Sequence, residues 1–322
     1  MKDLSGNGHD IQLYNFAFSG ESGYGKYAVD DFNSKWYVYG MQSYDKGKYH
    51  ITFKERDAKN TDLFIYFQNS ASNLPVGSYH FTGFKYRITN PGNYSLKAIF
   101  RGDESIYSED VSASGVYTFP SIDLEVAEGN TKNYGFQLSC TTSQSDDLGV
   151  TVEIIPDYRG ALVSDGIDDY GLCENFPVFT QEKGYTVCAI REWIQEIGNH
   201  SCLISKNYEN SPNYGSFVIE TNGNSTSSWG RNTAVIFERG VFTFQRSDIY
   251  NTQSIKQSNC VDGNDLCIFK YHKTSGNRAN IALYAFEIYD RDLTDDEIAK
   301  VKSRMIAEYE SKTGNKYEEE AV

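Results

Sequence analysis

Methionine (3), tryptophan (3) and proline (6) are scarce in this chain of 322 residues, and its 30 basic residues fall well short of its 44 acidic ones. The formal charge of −14 argues against nucleic acid and anionic lipid, because their phosphates would repel such a surface. No run approaches the ~20 apolar residues of a helical membrane span. The opening MKDLSGNGHDIQ has no hydrophobic signal core. The expectation is therefore either assembly in the cytoplasm, as for a virion protein, or a piece cut from a longer secreted chain.

Familiar catalytic signatures are absent as well. The chain has no G-x-S-x-G, no H-E-x-x-H, no Rossmann fingerprint and no P-loop. GESGYGKYA, beginning at Gly20, lacks the Lys-Ser/Thr ending and the following helix of a phosphate cradle, and reads as a turn. The histidines (9, 50, 80, 200, 272) are scattered, and no CxxC pair exists to suggest zinc. Of the six cysteines, Cys173, Cys188, Cys202 and Cys267 sit within expected strands as small buried thiols. Cys260 and Cys267 flank a VDGNDL turn that a disulfide would span; the alternative is two thiols.

What the chain does have is aromatic mass: 25 tyrosines and 19 phenylalanines, which pack well on pleated surfaces. With 27 glycines for turns, the composition points to an all-β protein. Expected strands between Trp36 and Pro156 are Tyr49 to Glu55, Leu63 to Phe67, Ser78 to Tyr86, Tyr94 to Phe100, Gly115 to Phe119, Gly135 to Leu138 and Val150 to Ile155. Beyond them come Tyr185 to Trp193, Cys202 to Ser205, Ser216 to Glu220, Thr233 to Glu238, Val241 to Arg246, Cys267 to Tyr271 and Ile281 to Tyr289, with a tight hairpin at Glu238-Arg239-Gly240. Many short strands separated by turn signals make sandwiches or jelly rolls. One helix is expected: Thr294 and Glu297 form a capping box, and Ile298, Val301, Met305 and Tyr309 make one apolar stripe. The tail SKTGNKYEEEAV has no periodicity and should fray.

Gly160 to Pro177, GALVSDGIDDYGLCENFP, reads as strand, acidic turn and strand, with Gly166 free to adopt a positive φ. Asp165, Asp168 and Asp169 serve turn chemistry on one reading and a partial Ca²⁺ site on another. The loop lacks the twelve-residue calcium-loop spacing with its closing Glu, so no metal is assigned.

LVSDGIDDYG resembles the opening hairpin of laminin-G-like (concanavalin A-like) jelly rolls, LYAFEIYDRDLTDDEI their closing strand and helix, and DLSGNGHDIQLYNFAF a matching first strand. GVYTFPSIDLEV, NYGFQL and DDLGVTVEIIP resemble the last strands of galactose-binding-like jelly rolls, frequent as carbohydrate-binding modules of gut Bacteroidetes and their phages. These resemblances imply two antiparallel β-sandwiches, one inserted into the other. Residues 1–34 with 159–312 would form the laminin-G-like sandwich, 35–158 the insert and 313–322 a flexible tail. Laminin-G-like sandwiches include glycosidase relatives with paired Glu residues in a central strand, and REWIQEIG around Glu192 does not reproduce that strand.

The reading is a non-enzymatic adhesion or glycan-recognition protein of a virion appendage or cell surface. Its partners would be a glycan or host receptor, neighbouring virion or surface subunits, or further copies of itself. Alternatives are a structural virion protein without a ligand and a glycoside hydrolase module. Sugars are held by aromatic faces with amides and carboxylates beside them, at loops that cap a sandwich. Trp229 with Arg231 and Asn232 in SSWGRN is the first candidate site, and Tyr208 and Tyr214 are companions. Trp193 is expected in the core, and Trp36 and Tyr37 between the sandwiches. Arg101-Gly102-Asp103 and the N-x-S/T triplets at Asn93, Asn199 and Asn224 carry no functional assignment.

Overall fold

The computed structural model describes residues 1–18, 20–29, 36–56, 62–68, 74–141, 148–174, 176–177, 186–195, 201–206, 217–221, 231–232, 241–246, 265–270 and 278–317. Sheets dominate these residues, with one helix near the C-terminus: the protein is an all-β sandwich protein. The chain divides into two units, Met1–Lys26 with Tyr158–Val322, and Tyr27–Asp157. The sequence reading draws its boundaries at 34/35 and 158/159, whereas these units divide at 26/27 and 157/158.

Strands are numbered in chain order. In the first unit a six-stranded sheet runs β1 (Gln12–Tyr14), β16 (Tyr170–Cys173), β22 (Leu266–Ile268), β18 (Ser201–Lys206), β19 (Phe217–Thr221), β20 (Arg231–Asn232). A five-stranded sheet runs β2 (Gly23–Tyr24), β15 (Leu162–Val163), β23 (Asn280–Tyr289), β17 (Thr186–Gln195), β21 (Val241–Arg246). The pairs are antiparallel except for β19 with β20. The first 26 residues thus supply an edge strand to each sheet: Leu13 lies opposite Gly171, and Gly23 opposite Val163. GESGYGKYA is accordingly part strand rather than turn alone, because Gly23 and Tyr24 pair with β15.

Period-two alternation explains the layering. On β17, Val187, Ala189 and Trp193 enter the interior between the sheets with Leu203, Ile204, Leu266 and Ile268. Cys188 and Ile190 point the other way, onto the helix α1 (Asp295–Thr313) through Ile298, Val301, Met305 and Tyr309. Covered on both faces, β17 is buried from Thr186 to Arg191 and again at Trp193, as a central strand should be, although Arg191 and Glu192 interrupt its apolar run. Trp193 is core as expected, 3% exposed. The helix begins at the capping box of Thr294 and Glu297 and ends on Gly314 at φ 75°. The tail does not fray at Ser311: the helix runs to Thr313, and the Tyr317 amide donates to Glu310 Oε1 at 3.0 Å.

In the second unit one sheet runs β10 (Ser108–Asp110), β9 (Ser95–Arg101), β13 (Gly135–Thr141), β6 (Asp62–Gln68), β3 (Trp36–Tyr39). Another runs β11 (Gly115–Phe119), β8 (Phe84–Thr89), β14 (Thr151–Ile155), β5 (His50–Arg56), β4 (Met41–Lys46), and β12 (Ile122–Val126) pairs with β7 (Gly77–Phe81). The expected strand Ser78 to Tyr86 is two strands, because the β8–β11 ribbon bends at Gly83 and Pro120 into the β7–β12 pair. Gly83 is required there: a Cβ would stand 2.6 Å from the Ser121 nitrogen and 2.8 Å from the Phe119 oxygen. Phe136 centres the core, with Trp36, Phe84, Tyr86 and Phe119 rings between 5.1 and 5.9 Å away. Trp36, expected between the sandwiches, belongs to this core at 5% exposure, because the β3 alternation turns it inward.

Candidate functional site

The acidic stretch is not a hairpin. β15 and β16 belong to different sheets, so Ser164–Asp169 forms the corner that carries the chain from one layer of the sandwich to the other. The corner is clamped to the start of β23: the Ser164 amide donates to Ile281 O at 3.0 Å, and its hydroxyl to Ala279 O at 2.6 Å. Asp165 Oδ1 accepts from the Ile167 amide at 2.8 Å, the Asx turn that Asp favours, and Gly166 takes φ 78°. Asp169 Oδ2 accepts from the Asp165 amide at 2.9 Å, and Asn15 Nδ2 donates to Asp168 O at 3.0 Å.

These contacts gather three carboxylates. One candidate ligand oxygen each from Asp165, Asp168 and Asp169 lies within 4.8 Å of the others. Asp168 is exposed, Asp165 half-buried and Asp169 fully buried. Burial pushes the Asp169 carboxyl up to about 6, and the neighbouring Asp165 charge adds to the rise. The Asp165 amide and the Ser22 hydroxyl oppose it. Hard divalent cations take several oxygen ligands, and this corner offers them from one short loop.

Beside the corner, Tyr170 and Tyr14 lie opposite each other in the β1–β16 ladder with ring centroids 4.8 Å apart and planes at 9°. Lys270 Nζ stands 4.1 Å from the Tyr170 centroid and the Arg278 guanidinium 5.4 Å. Desolvation, then the Arg278 charge, lowers the Lys270 pKa.

A second surface lies in the 27–157 unit. Trp36 and Val38 turn into the core, so Tyr37 and Tyr39 share the opposite face of β3, exposed by 38% and 51%. Register carries that face across the sheet. Tyr37 lies opposite Tyr66, and Tyr66 opposite Gln137; Tyr39 lies opposite Phe64, and Phe64 opposite Ser139. Gln137 and Ser139 alternate with the core residues Phe136, Leu138 and Cys140, so they face outward with the tyrosines.

Of the residues proposed from sequence, Trp229, Tyr208 and Tyr214 lie outside the described residues. Arg231 and Asn232 form β20, at the edge of the six-stranded sheet and parallel to β19. The Glu238–Gly240 hairpin, Cys260, His200 and His272 also lie outside the described residues. Glu192 accepts from the Tyr284 hydroxyl at 3.3 Å. The sequence reading placed Tyr37 between the sandwiches and did not single out Tyr39, although the alternation in WYVY sets both opposite to Trp36 and Val38.

Among the described residues, no helix is long and apolar enough to cross a membrane. No family model matches the chain, and no curated protein matches it. Two solved structures align over most of its length. One is a protein of Parabacteroides distasonis, 8% identical, covering 87% of this chain and 98% of its own, with a TM-score of 0.15. The other is an allantoicase, 12% identical, covering 85% and 90%, with a TM-score of 0.15. At that score neither likeness carries an argument, and the chain's own geometry is what its function must be read from.

Proposed function

We propose that this chain is a non-enzymatic glycan-recognition protein serving adhesion, and that one of its binding faces is the outer face of the sheet edged by β3. What carries the reading is the pairing of two exposed tyrosines, Tyr37 and Tyr39, on one strand face, with Gln137 and Ser139 on the same face two strands away. Aromatic rings offer a pyranose a large apolar surface for little entropy, and amide and hydroxyl groups bond its hydroxyls. Alternate residues along a strand stand about 6.6 Å apart, so two rings present one continuous platform. Trp229, Arg231, Asn232, Tyr208 and Tyr214 are the corresponding candidates in the other unit.

The test is a glycan array probed with the full chain, the Tyr37→Ala/Tyr39→Ala double variant and Trp229→Ala. Binding by the parent protein that drops at least tenfold in the double variant, with an unchanged thermal midpoint, supports the reading. A parent protein that retains no glycan overturns it, and sugar release from polysaccharide would replace it with a hydrolase.

A further inference from the structure

We infer that Asn7 is a site of spontaneous covalent modification. Its side-chain amide is lost through ring closure onto the Gly8 nitrogen, leaving aspartate or isoaspartate in the loop that leads into the first strand. The inference is independent of the glycan reading, because it concerns a different unit and rests on other residues.

The loop is pinned at its ends and open at its tip. Asp3 accepts the Ser5 amide on Oδ1 at 2.8 Å and the His9 amide on Oδ2 at 3.0 Å. Asp10 Oδ1 in turn accepts the Asp3 amide at 2.9 Å. The Ile11 amide donates to Met1 O at 2.9 Å, and Ile11 is a core residue of the unit. Between these anchors Ser5, Gly6, Asn7 and Gly8 are all exposed. The Asn7 amide donates to Ser5 Oγ at 3.3 Å. Among the described residues nothing holds the Asn7 side chain, and nothing accepts the Gly8 N–H.

The local chemistry favours closure. Asn7 Cγ and the Gly8 nitrogen belong to adjacent residues, so a succinimide ring forms without gathering distant groups. Gly8 has no Cβ to obstruct the approach, and it sits at φ 80°. A Cβ built there would meet nothing within 4 Å, so no neighbour confines the tip. Asn90 is the opposite case. It is 3% exposed, and its Nδ2 donates to Tyr94 O at 2.8 Å and to Ser112 O at 2.7 Å. The residue after it, Pro91, has no N–H to lose.

The reaction balances with water alone. Solvent base removes the Gly8 amide proton, the nitrogen attacks Asn7 Cγ, and the Cγ–Nδ2 bond breaks as ammonia leaves. Water then opens the ring. Attack at Cγ breaks its bond to the Gly8 nitrogen and gives aspartate. Attack at the backbone carbonyl carbon breaks that carbon's bond to the same nitrogen and gives isoaspartate. Nothing is oxidised or reduced. Either product adds a negative charge to a loop that already holds Asp3 and Asp10, with Lys2 ion-paired to Asp10. Isoaspartate also adds a main-chain atom between Ser5 and His9, whose amides share the Asp3 carboxylate.

The experiment ages the full chain at neutral pH over weeks and maps its peptides by mass spectrometry, with electron-transfer fragmentation to separate the two products. Conversion at Asn7 should run at least about tenfold faster than at Asn90. Asn222-Gly223, outside the described residues, is read in a separate peptide. Asn7→Gln, whose longer side chain must close a larger ring, should keep its amide over the same period. The midpoint of the 1–26/158–322 unit should fall by about 2–4 °C more in the aged parent than in aged Asn7→Gln. An Asn7 as intact as Asn90 overturns the proposal, as does equal loss of the side-chain amide in Asn7→Gln. Full conversion with no difference in midpoint would overturn the effect assigned to the loop.

Discussion

Leu13 of β1 sits directly opposite Gly171 of β16, although 157 residues separate them in the chain. Gly171 faces the interior, where a Cβ would stand 2.6 Å from Ile268 Cγ1 and 2.7 Å from Ile11 Cγ2. The N-terminal segment can therefore close over β16 only because position 171 has no side chain. The sandwich of the first unit is completed through that contact.

Gly171→Ala should destabilise this unit by about 1–3 kcal/mol, since two branched side chains must give way. Gly83→Ala in the other unit should cost at least as much, because the added carbon meets backbone atoms that cannot rotate aside. Urea unfolding of both variants checks this. A loss below about 0.5 kcal/mol at either position would show that the close approach is not a constraint.

Phe136→Ala should remove about 3–5 kcal/mol from the 27–157 unit. The ring is fully buried and touches four other aromatic rings, so its loss leaves a cavity that rigid neighbours fill poorly. Denaturant midpoints compared with those of Tyr37→Ala, an exposed ring on the same sheet, separate core packing from surface effects.

The helix start should respond to acid. Arg291, then the Thr294 amide, hold the Glu297 carboxyl down at about 2, below its ordinary value. A carboxylate lowered on folding contributes stability that is fully present above pH ~4.5 and is lost as pH falls toward 2. Glu297→Gln should therefore lower the thermal midpoint at pH 7, and the difference from the parent should close by about pH 2. A gap that persists in acid would mean that the side chain acts by packing alone. Thr294→Ala, which removes the other half of the capping box, should cost about 1 kcal/mol at neutral pH.

Cys140 and Cys188 should resist alkylation in the native protein. Both are fully buried, and burial pushes their thiols up to about 11 and about 12. Iodoacetamide at pH 8 should label neither until denaturant is added, as read by mass spectrometry of the two peptides. Rapid native labelling of either would place it at a surface.

The elements that local rules govern were legible in the sequence. The capping box at Thr294, the stripe from Ile298 to Tyr309 and the run from Gly115 to Phe119 depend on neighbours a few residues away, and each lies where its pattern put it. The Asx turn at Asp165 was equally local. The misplaced elements depend on distant chain. Ser78 to Tyr86 reads as one strand because nothing nearby reveals that Pro120 and Ser121 will press against Gly83. Gly23 and Tyr24 form a strand only because β15 arrives beside them.

Composition and periodicity therefore decided by themselves that this protein would be layered sheets with a capped helix near the C-terminus: those preferences live in the pleat and in the helical turn. They could not decide which sheet each strand joins. That choice made an apparent hairpin into a corner between layers, buried Asp169 inside it and turned Tyr37 and Tyr39 outward while Trp36 went in. A side chain's burial is set by whatever arrives on its face from far along the chain, and only the folded structure carries that information.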